Sequence, residues 1–346
     1  MMTWVKILTK RSQQRACKRQ PKTRRDKFSR ARQAGRWQEA GRQAIEIAPR
    51  YADGHNSLGT ALVKADRIDD AIMSFREALA IQPQFLDALT NLALALINAG
   101  DSREAVEVTD VCLEVDPGNI EALATRSVAL NEIGDTGSFH KLVDIDRLLQ
   151  KSQIDTPPEF DSLAEFNDAL ARHVQSHPSL KFAPPEHATR GGKHSGDLLA
   201  KPKGPMSAFE RIVGVSFDRY VANLPTGLNH PFLARMPSRW SLSVWGLVLP
   251  AQGYQVPHIH HSGWISGCYY VQVSEAVAEP EEGHEGWIEF GRPQSIYHTS
   301  APPNIHLVRP EEGLMVLFPS FFFHRTIPFK AEVDRICIAF DIEPDP

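Results

Sequence analysis

The sequence predicts a multidomain α+β chain, with an N-terminal α-helical solenoid followed by a double-stranded β-helix (jelly-roll) barrel and its supporting helices. Three observations lead there. Pro49, Pro83 and Pro117 recur at a fixed step of 34 residues, the mark of a stacked helical repeat. From about Trp240 the rhythm changes to short apolar runs separated by Gly, Pro and Glu, which suits close-spaced antiparallel strands. The remaining helical periodicity lies ahead of those runs rather than between them, the order expected of α+β and not of α/β packing.

The bulk properties agree. A chain of 346 residues exceeds one ordinary core and calls for two domains with connecting pieces. A net charge of −4 argues against a dedicated nucleic-acid binder, although the charge is uneven. Residues 1–32 hold twelve Lys or Arg against the single Asp26 and read as a basic, mobile tail, with a targeting peptide or a polyanion-binding arm as alternatives. No apolar core follows those charges, so a secretory signal is not expected. Cys17, Cys112, Cys268 and Cys337 show no paired spacing, and no stretch reaches the roughly 18 apolar residues of a membrane span. A soluble, cytoplasmic protein is expected.

Residues 33–150 carry the repeat. Leu58 matches Leu92 and Ala71 matches Ala105 at the same step. Leu58, Gly59 and Leu62 mark one helix of a hairpin, Ala71, Phe75 and Ala78 mark the other, and a proline closes the unit. Small residues at 59 and 71 allow close approach, and Phe75 fills the space left. This pattern resembles the tetratricopeptide repeat, most strongly over residues 52–119. The resemblance implies a groove for a peptide or partner protein; a purely architectural spacer is the alternative.

Paired prolines in "QIDTPPEF" mark residues 151–162 as a linker. Residues 163–346 then form the second domain. Leu163, Phe166, Leu170 and Val174 space one amphipathic helix, and Phe209, Ile212, Val213, Phe217 and Val221 space another. About eight strands fit between residues 240 and 343.

The segment "PHIHHSGWISGCYYV" places His258 and His260 one residue apart at a strand end, where residues i and i+2 face the same side. Two histidines at that spacing also arise by chance in loops. A metal would need a ligand from another strand, and His324 interrupts the apolar "FPSFFFHRTIPF", where an unpartnered imidazole would be costly. Arg335 opens the last strand, "RICIAFDI". It suits a carboxylate gripped by two parallel hydrogen bonds, or a surface pair with Asp334 or Glu332. Arg325, next to His324, should leave on the opposite face.

These residues resemble the iron(II)- and 2-oxoglutarate-dependent oxygenases, in the branch with H-x-H, a following S-G-x-Y-Y strand, and a late F-P-S-x-x-x-H leading to R-I-x-I-A-F. The match spans roughly residues 240–343. It implies His258, His260 and His324 as iron(II) ligands, Arg335 as the residue holding the 2-oxoglutarate tail, and Tyr270 as a second contact to that carboxylate, with ordinary core packing as the alternative for Tyr270. It also implies molecular oxygen as co-substrate and hydroxylation of a substrate, for which the repeats suggest a peptide or protein. One departure stands out: the superfamily's usual set is two histidines and a carboxylate, and position 260 is histidine. Two rival classes remain open, a catalytically silent repeat scaffold and a three-histidine cupin-type dioxygenase that does not use 2-oxoglutarate.

Overall fold

The computed structural model describes residue 35 and residues 38–345, apart from 185–186, 201, 225–229, 235 and 279–282. The basic tail over residues 1–32 lies outside the described residues. Two compact units emerge: one runs to Leu142 and takes in Gln294–Pro302, and the other comprises Val143–Pro293 and the chain from Pro303 onward.

The first unit is built of antiparallel helices: α1 (Ala52–Lys64), α2 (Ile68–Ile81), α3 (Leu86–Ala99), α4 (Ser102–Val115), α5 (Ile120–Glu132) and α6 (Thr136–Leu142). The small residues do what the sequence demands. A Cβ on Gly59 would lie 2.5 Å from the Phe75 ring, so only glycine lets α2 seat that fully buried aromatic against α1. Ala71, Ala78 and Ala105 are completely buried at the matching contacts. Gly100, at φ 93°, ends α3 in the left-handed region, and the Asn119 side chain accepts from Ala122 N to start α5. Between the first helices of successive repeats, Asn91 Nδ2 donates to Asn56 Oδ1 at 2.9 Å, which satisfies two buried amides with each other.

The same unit holds an irregular segment of its own chain, Gln294–Pro302, which opens with a turn (Tyr297 N to Gln294 O, 3.0 Å) and is held largely by its main chain. Asn98 donates to Ile296 O at 3.1 Å and accepts from His298 N at 2.9 Å. The Glu132 carboxylate accepts from Ser300 N and Ala301 N at 2.8 and 2.9 Å. Asn131 donates to Pro302 O at 3.1 Å, and the Thr125 and Tyr297 hydroxyls meet at 2.9 Å.

The second unit contains twelve described strands: β1 (Gln150–Gln153), β2 (Lys181–Phe182), β3 (Thr189–Arg190), β4 (Lys193–His194), β5 (Trp240–Leu249), β6 (Tyr254–His258), β7 (Ile265–Gln272), β8 (Ile288–Phe290), β9 (His306–Val308), β10 (Leu314–Pro319), β11 (His324–Thr326) and β12 (Arg335–Pro344). They form a sheet of order β1-β10-β7-β12-β5-β4-β2 and another of order β3-β6-β11-β8-β9. The pairings among the described strands are antiparallel. Helices α7 (Leu163–Ser176) and α8 (Met206–Ala222) cover the outer face of the larger sheet. Val174 on α7 packs so closely over Gly246 that a Cβ there would lie 2.6 Å away, and Asn167 accepts from the Tyr269 hydroxyl at 2.6 Å. Phe209 on α8 meets the rings of Tyr269 and Phe340. Phe166, Leu170, Val174, Phe209 and Val213 are completely buried, as their spacing foretold.

Two boundaries differ from the sequence expectation. The segment 151–162 is not wholly a linker, because Gln150–Gln153 pairs with Leu314–Leu317 as an edge strand. Its Gln-Lys-Ser-Gln sequence lacks apolar alternation; main-chain pairing places it, helped by Gln150 Nε2 donating to Tyr220 O at 3.1 Å and Gln153 Nε2 donating to Glu312 O at 2.8 Å. The domain starting at residue 163 is likewise neither complete nor continuous, since Val143 opens the unit and residues 294–302 leave it. No helix among the described residues is long and apolar enough to cross a membrane.

Candidate metal and carboxylate site

His258 closes β6, and His324 opens β11 directly opposite it in the antiparallel register. His260 follows in a loop fixed by its main chain: His260 N donates to Ser320 O at 3.1 Å, Ser320 N to Trp264 O at 3.1 Å, and Trp264 N to Ile342 O at 2.8 Å. The loop runs close to the larger sheet because residue 263 is glycine; a Cβ there would lie 2.6 Å from Ser320 Oγ. The three rings come together, with centroids 4.1 Å apart for His258 and His324, 5.2 Å for His258 and His260, and 5.0 Å for His260 and His324. One nitrogen from each lies within 4.8 Å of the others.

The hydrogen bonds identify those nitrogens. His258 Nδ1 lies 2.8 Å from Val256 O and His324 Nδ1 lies 3.0 Å from Phe322 O. A carbonyl oxygen only accepts, so both Nδ1 atoms carry the proton and both Nε2 atoms carry a lone pair. Burial, reinforced by the other histidines, lowers the His258 pKa to about 3 and holds that of His324 well below its ordinary value. Neutral imidazoles with converging lone pairs form a donor set that fits a divalent transition metal. His258 and His324 are buried, and Phe318 packs its ring 4.7 Å from His324. Leu317 faces the other way, toward Gly267, while Trp264 stacks on Phe232 at 4.6 Å and donates to its carbonyl; neither belongs to the site.

Arg335 is 2% exposed and pairs with neither Asp334 nor Glu332. Its Nη1 donates to Thr326 Oγ1 at 3.2 Å. Thr326 is two residues beyond His324 on β11, so the guanidinium lies on the face that carries the histidine, about 7 Å along the strand by the usual rise. Tyr270 places its ring 5.0 Å from the Arg335 guanidinium carbon. No hydrogen bond of good geometry reaches the buried Tyr270 hydroxyl or Arg335 Nε among the described residues, although the Tyr270 hydroxyl lies near enough to Arg335 and to the Cys268 thiol to influence both. No carboxylate of the described residues is paired with Arg335, which leaves a cation in a low-dielectric site with its counter-charge missing. Arg325 leaves on the opposite face, as expected, and grips the buried Glu289 through two bonds of 2.7 and 2.8 Å.

Between the two ends, β7 and β12 present Ser266, Cys268 and Tyr270, and Arg335, Cys337, Ala339 and Asp341, as alternating residues of one face. The side chains between the polar ends are thus small. Burial raises the Cys268 thiol to about 12, which keeps it protonated and inert. His284 and His298 are exposed, and His306 is partly buried away from the three-histidine group.

Sequence reasoning missed Asp341, Ser266 and Ser320. Asp341 Oδ1 lies 2.6 Å from His260 Nδ1 and accepts from Ser266 Oγ at 2.7 Å, while the Ser266 and Ser320 hydroxyls meet at 2.8 Å. The missed signal was an acidic residue in register with Arg335 inside the apolar "RICIAFDI".

Comparison with known proteins gives two family matches. Residues 243–341 match the model described as "Putative 2OG-Fe(II) oxygenase", and residues 62–129 match one described as "Tetratricopeptide repeat". Both fall on the segments that the motifs marked. Among solved structures, a Pseudomonas putida prolyl-4-hydroxylase is similar at 16% identity over 59% of this chain and 96% of that chain, with a TM-score of 0.39. The MamA protein is similar at 22% identity over 32% of this chain and 61% of that one, with a TM-score of 0.31. The chain therefore spans about three fifths of the MamA length. No curated protein matches the chain.

Proposed function

We propose that the second unit is an iron(II)- and 2-oxoglutarate-dependent dioxygenase that hydroxylates a peptide or protein. The observation that carries this reading is the buried, uncompensated Arg335 on the same face as three converging imidazole lone pairs. A ligand that chelates a metal at one end and presents a carboxylate at the other answers both ends at once. The strand order supports a jelly-roll scaffold: the eight strands from Trp240 divide between a β5-β12-β7-β10 sheet and a β6-β11-β8-β9 sheet, crossing between them at every step except the β8–β9 hairpin.

In this reading His258, His260 and His324 hold iron(II) through Nε2, and their Nδ1 bonds fix each ring before the metal arrives. Arg335 holds the distal carboxylate of 2-oxoglutarate, with the Tyr270 hydroxyl donating to the same group. Tyr270 remains a proton donor because burial raises its pKa well above the ordinary value. Iron, when bound, supplies oxygen activation: substrate, oxygen and 2-oxoglutarate yield hydroxylated substrate, succinate and carbon dioxide. The surrounding Phe290 and Phe318 keep water from that end. The repeat unit already holds the main chain of a strandless segment through Asn98, Asn131 and Glu132, which supports a peptide as the substrate class. Three unpaired cysteines, Cys112, Cys268 and Cys337, support a reducing cytoplasmic setting.

The test is succinate release when the full chain is incubated with iron(II), oxygen, 2-oxoglutarate and pools of extended peptides. Iron-dependent release stimulated by at least one pool is expected. Binding of 2-oxoglutarate with no stimulation by any pool contradicts the substrate class; absence of both binding and release favours the silent scaffold.

A further inference from the structure

The three imidazoles are not equivalent. Two give their Nδ1 proton to a neutral carbonyl, and the third faces a carboxylate: His260 Nδ1 lies 2.6 Å from Asp341 Oδ1. That carboxylate is itself built in. Its side chain is 9% exposed, it also accepts from Ser266 Oγ at 2.7 Å, and the Ser320 hydroxyl extends the chain of bonds at 2.8 Å from Ser266. Ser266 Oγ also lies 3.0 Å from His260 Nδ1; with the Ser266 proton given to Asp341 and the Ser320 proton given to Ser266, both groups that face this ring nitrogen are acceptors, Asp341 at the shorter distance. The backbone that carries these groups is held as well, by Ser320 O accepting from His260 N and by Ile342 O accepting from Trp264 N.

A histidine that donates to a carboxylate keeps its proton on Nδ1 and presents a more basic Nε2 to a metal, and loss of such a carboxylate typically weakens metal binding about 10- to 100-fold. Position 260 is where a carboxylate ligand would make two histidines and one carboxylate. Here the negative charge stands one bond network further out. Resting on the iron reading above, we infer that Asp341 is a positioning residue which sets the His260 tautomer and supplies, through that ring, the anionic charge that three imidazoles lack. The site thus differs from an all-neutral set at its carboxylate-bound histidine, His260, and its overall charge matches that of a two-histidine, one-carboxylate site.

The experiment compares Co(II) and anaerobic Fe(II) affinity of the full-length wild type and Asp341→Asn, which keeps shape and an acceptor oxygen but removes the charge. A roughly 10- to 100-fold weaker metal affinity in the variant, at unchanged circular dichroism, is expected. Nitrogen-15 spectra of the metal-free wild type, which need no variant, are expected to show His260 protonated on Nδ1. Equal affinity in the two proteins, or a His260 proton on Nε2, overturns the inference while leaving the iron reading intact. A wild type that binds neither metal overturns the iron reading itself.

Discussion

The histidine cluster and the Arg335 cluster of the second unit are prepared in opposite ways. At the histidine end every Nδ1 proton already has an acceptor: Val256 O, Phe322 O and Asp341. At the Arg335 end the guanidinium has one side-chain partner, the Thr326 hydroxyl, and both Arg335 Nε and the Tyr270 hydroxyl are left over. The first end is preorganised by groups it keeps; the second, on the proposed reading, is completed by a ligand. If the proposed function holds, the difference teaches which end would define the metal and which would select the organic acid, and substitutions should separate the two roles.

The largest expected effect is at the metal end. His324→Ala removes one of three ligands, so metal affinity should fall at least 100-fold, read by Co(II) titration, and succinate release should drop to background. Arg335→Met should leave Co(II) affinity within about twofold of wild type and weaken 2-oxoglutarate by roughly 30- to 1000-fold, the equivalent of about 2–4 kcal/mol of charge-assisted bonding. It should also raise the melting temperature of the ligand-free protein by a few degrees, because the variant no longer buries an uncompensated charge. A wild-type-like 2-oxoglutarate affinity in this variant would erase the distinction between the ends.

The scaffold between them offers a third expectation. A Cβ at Gly267 would lie 2.2 Å from Phe340 and 2.9 Å from Leu317, so Gly267→Ala should lower stability by about 1–3 kcal/mol in denaturant unfolding. The pH response follows from burial at the histidine end. His258 has an ordinary pKa of 6.5, lowered to about 3 in the fold, and His324 shifts in the same direction. Between those values the unfolded chain binds protons that the native state excludes, so the stability of the metal-free protein should be flat above about pH 6.5 and fall continuously from there toward pH 3. Melting curves of wild type and of a His258→Ala, His324→Ala double variant would show it, the variant giving the shallower fall. The smallest effect belongs to Tyr270→Phe, where one hydrogen bond to the bound carboxylate is lost and 2-oxoglutarate affinity should fall about 3- to 10-fold.

Much of this was legible in the sequence, for local reasons. Gly59 and Phe75 encode a helix contact within one hairpin, and the spacing from Phe166 to Val174 encodes a buried helix face. His258 and His260 share a strand-end spacing, and a lone histidine in an apolar strand announces His324. What escaped depends on partners far apart in the chain. The strand at Gln150–Gln153 exists because the main chain of β10 offers an edge, and no side chain signals it. The seating of Gln294–Pro302 among the helices depends on amide and carboxylate groups of Asn98, Asn131 and Glu132 that look like ordinary surface polarity. Asp341 reads as the polar end of a strand until β12 is placed beside β7, which brings it to Ser266.

The central claim, that one small molecule bridges the two ends, is tested most directly by anaerobic titration of iron(II) and 2-oxoglutarate into the full chain. The visible metal-to-ligand charge-transfer absorption reports chelation by the 2-oxo acid. The account predicts a band in wild type that saturates with 2-oxoglutarate, is absent in His324→Ala, and requires far more 2-oxoglutarate in Arg335→Met. Absence of a band in a wild type that binds iron would contradict the claim and leave a three-histidine metal site that works without 2-oxoglutarate.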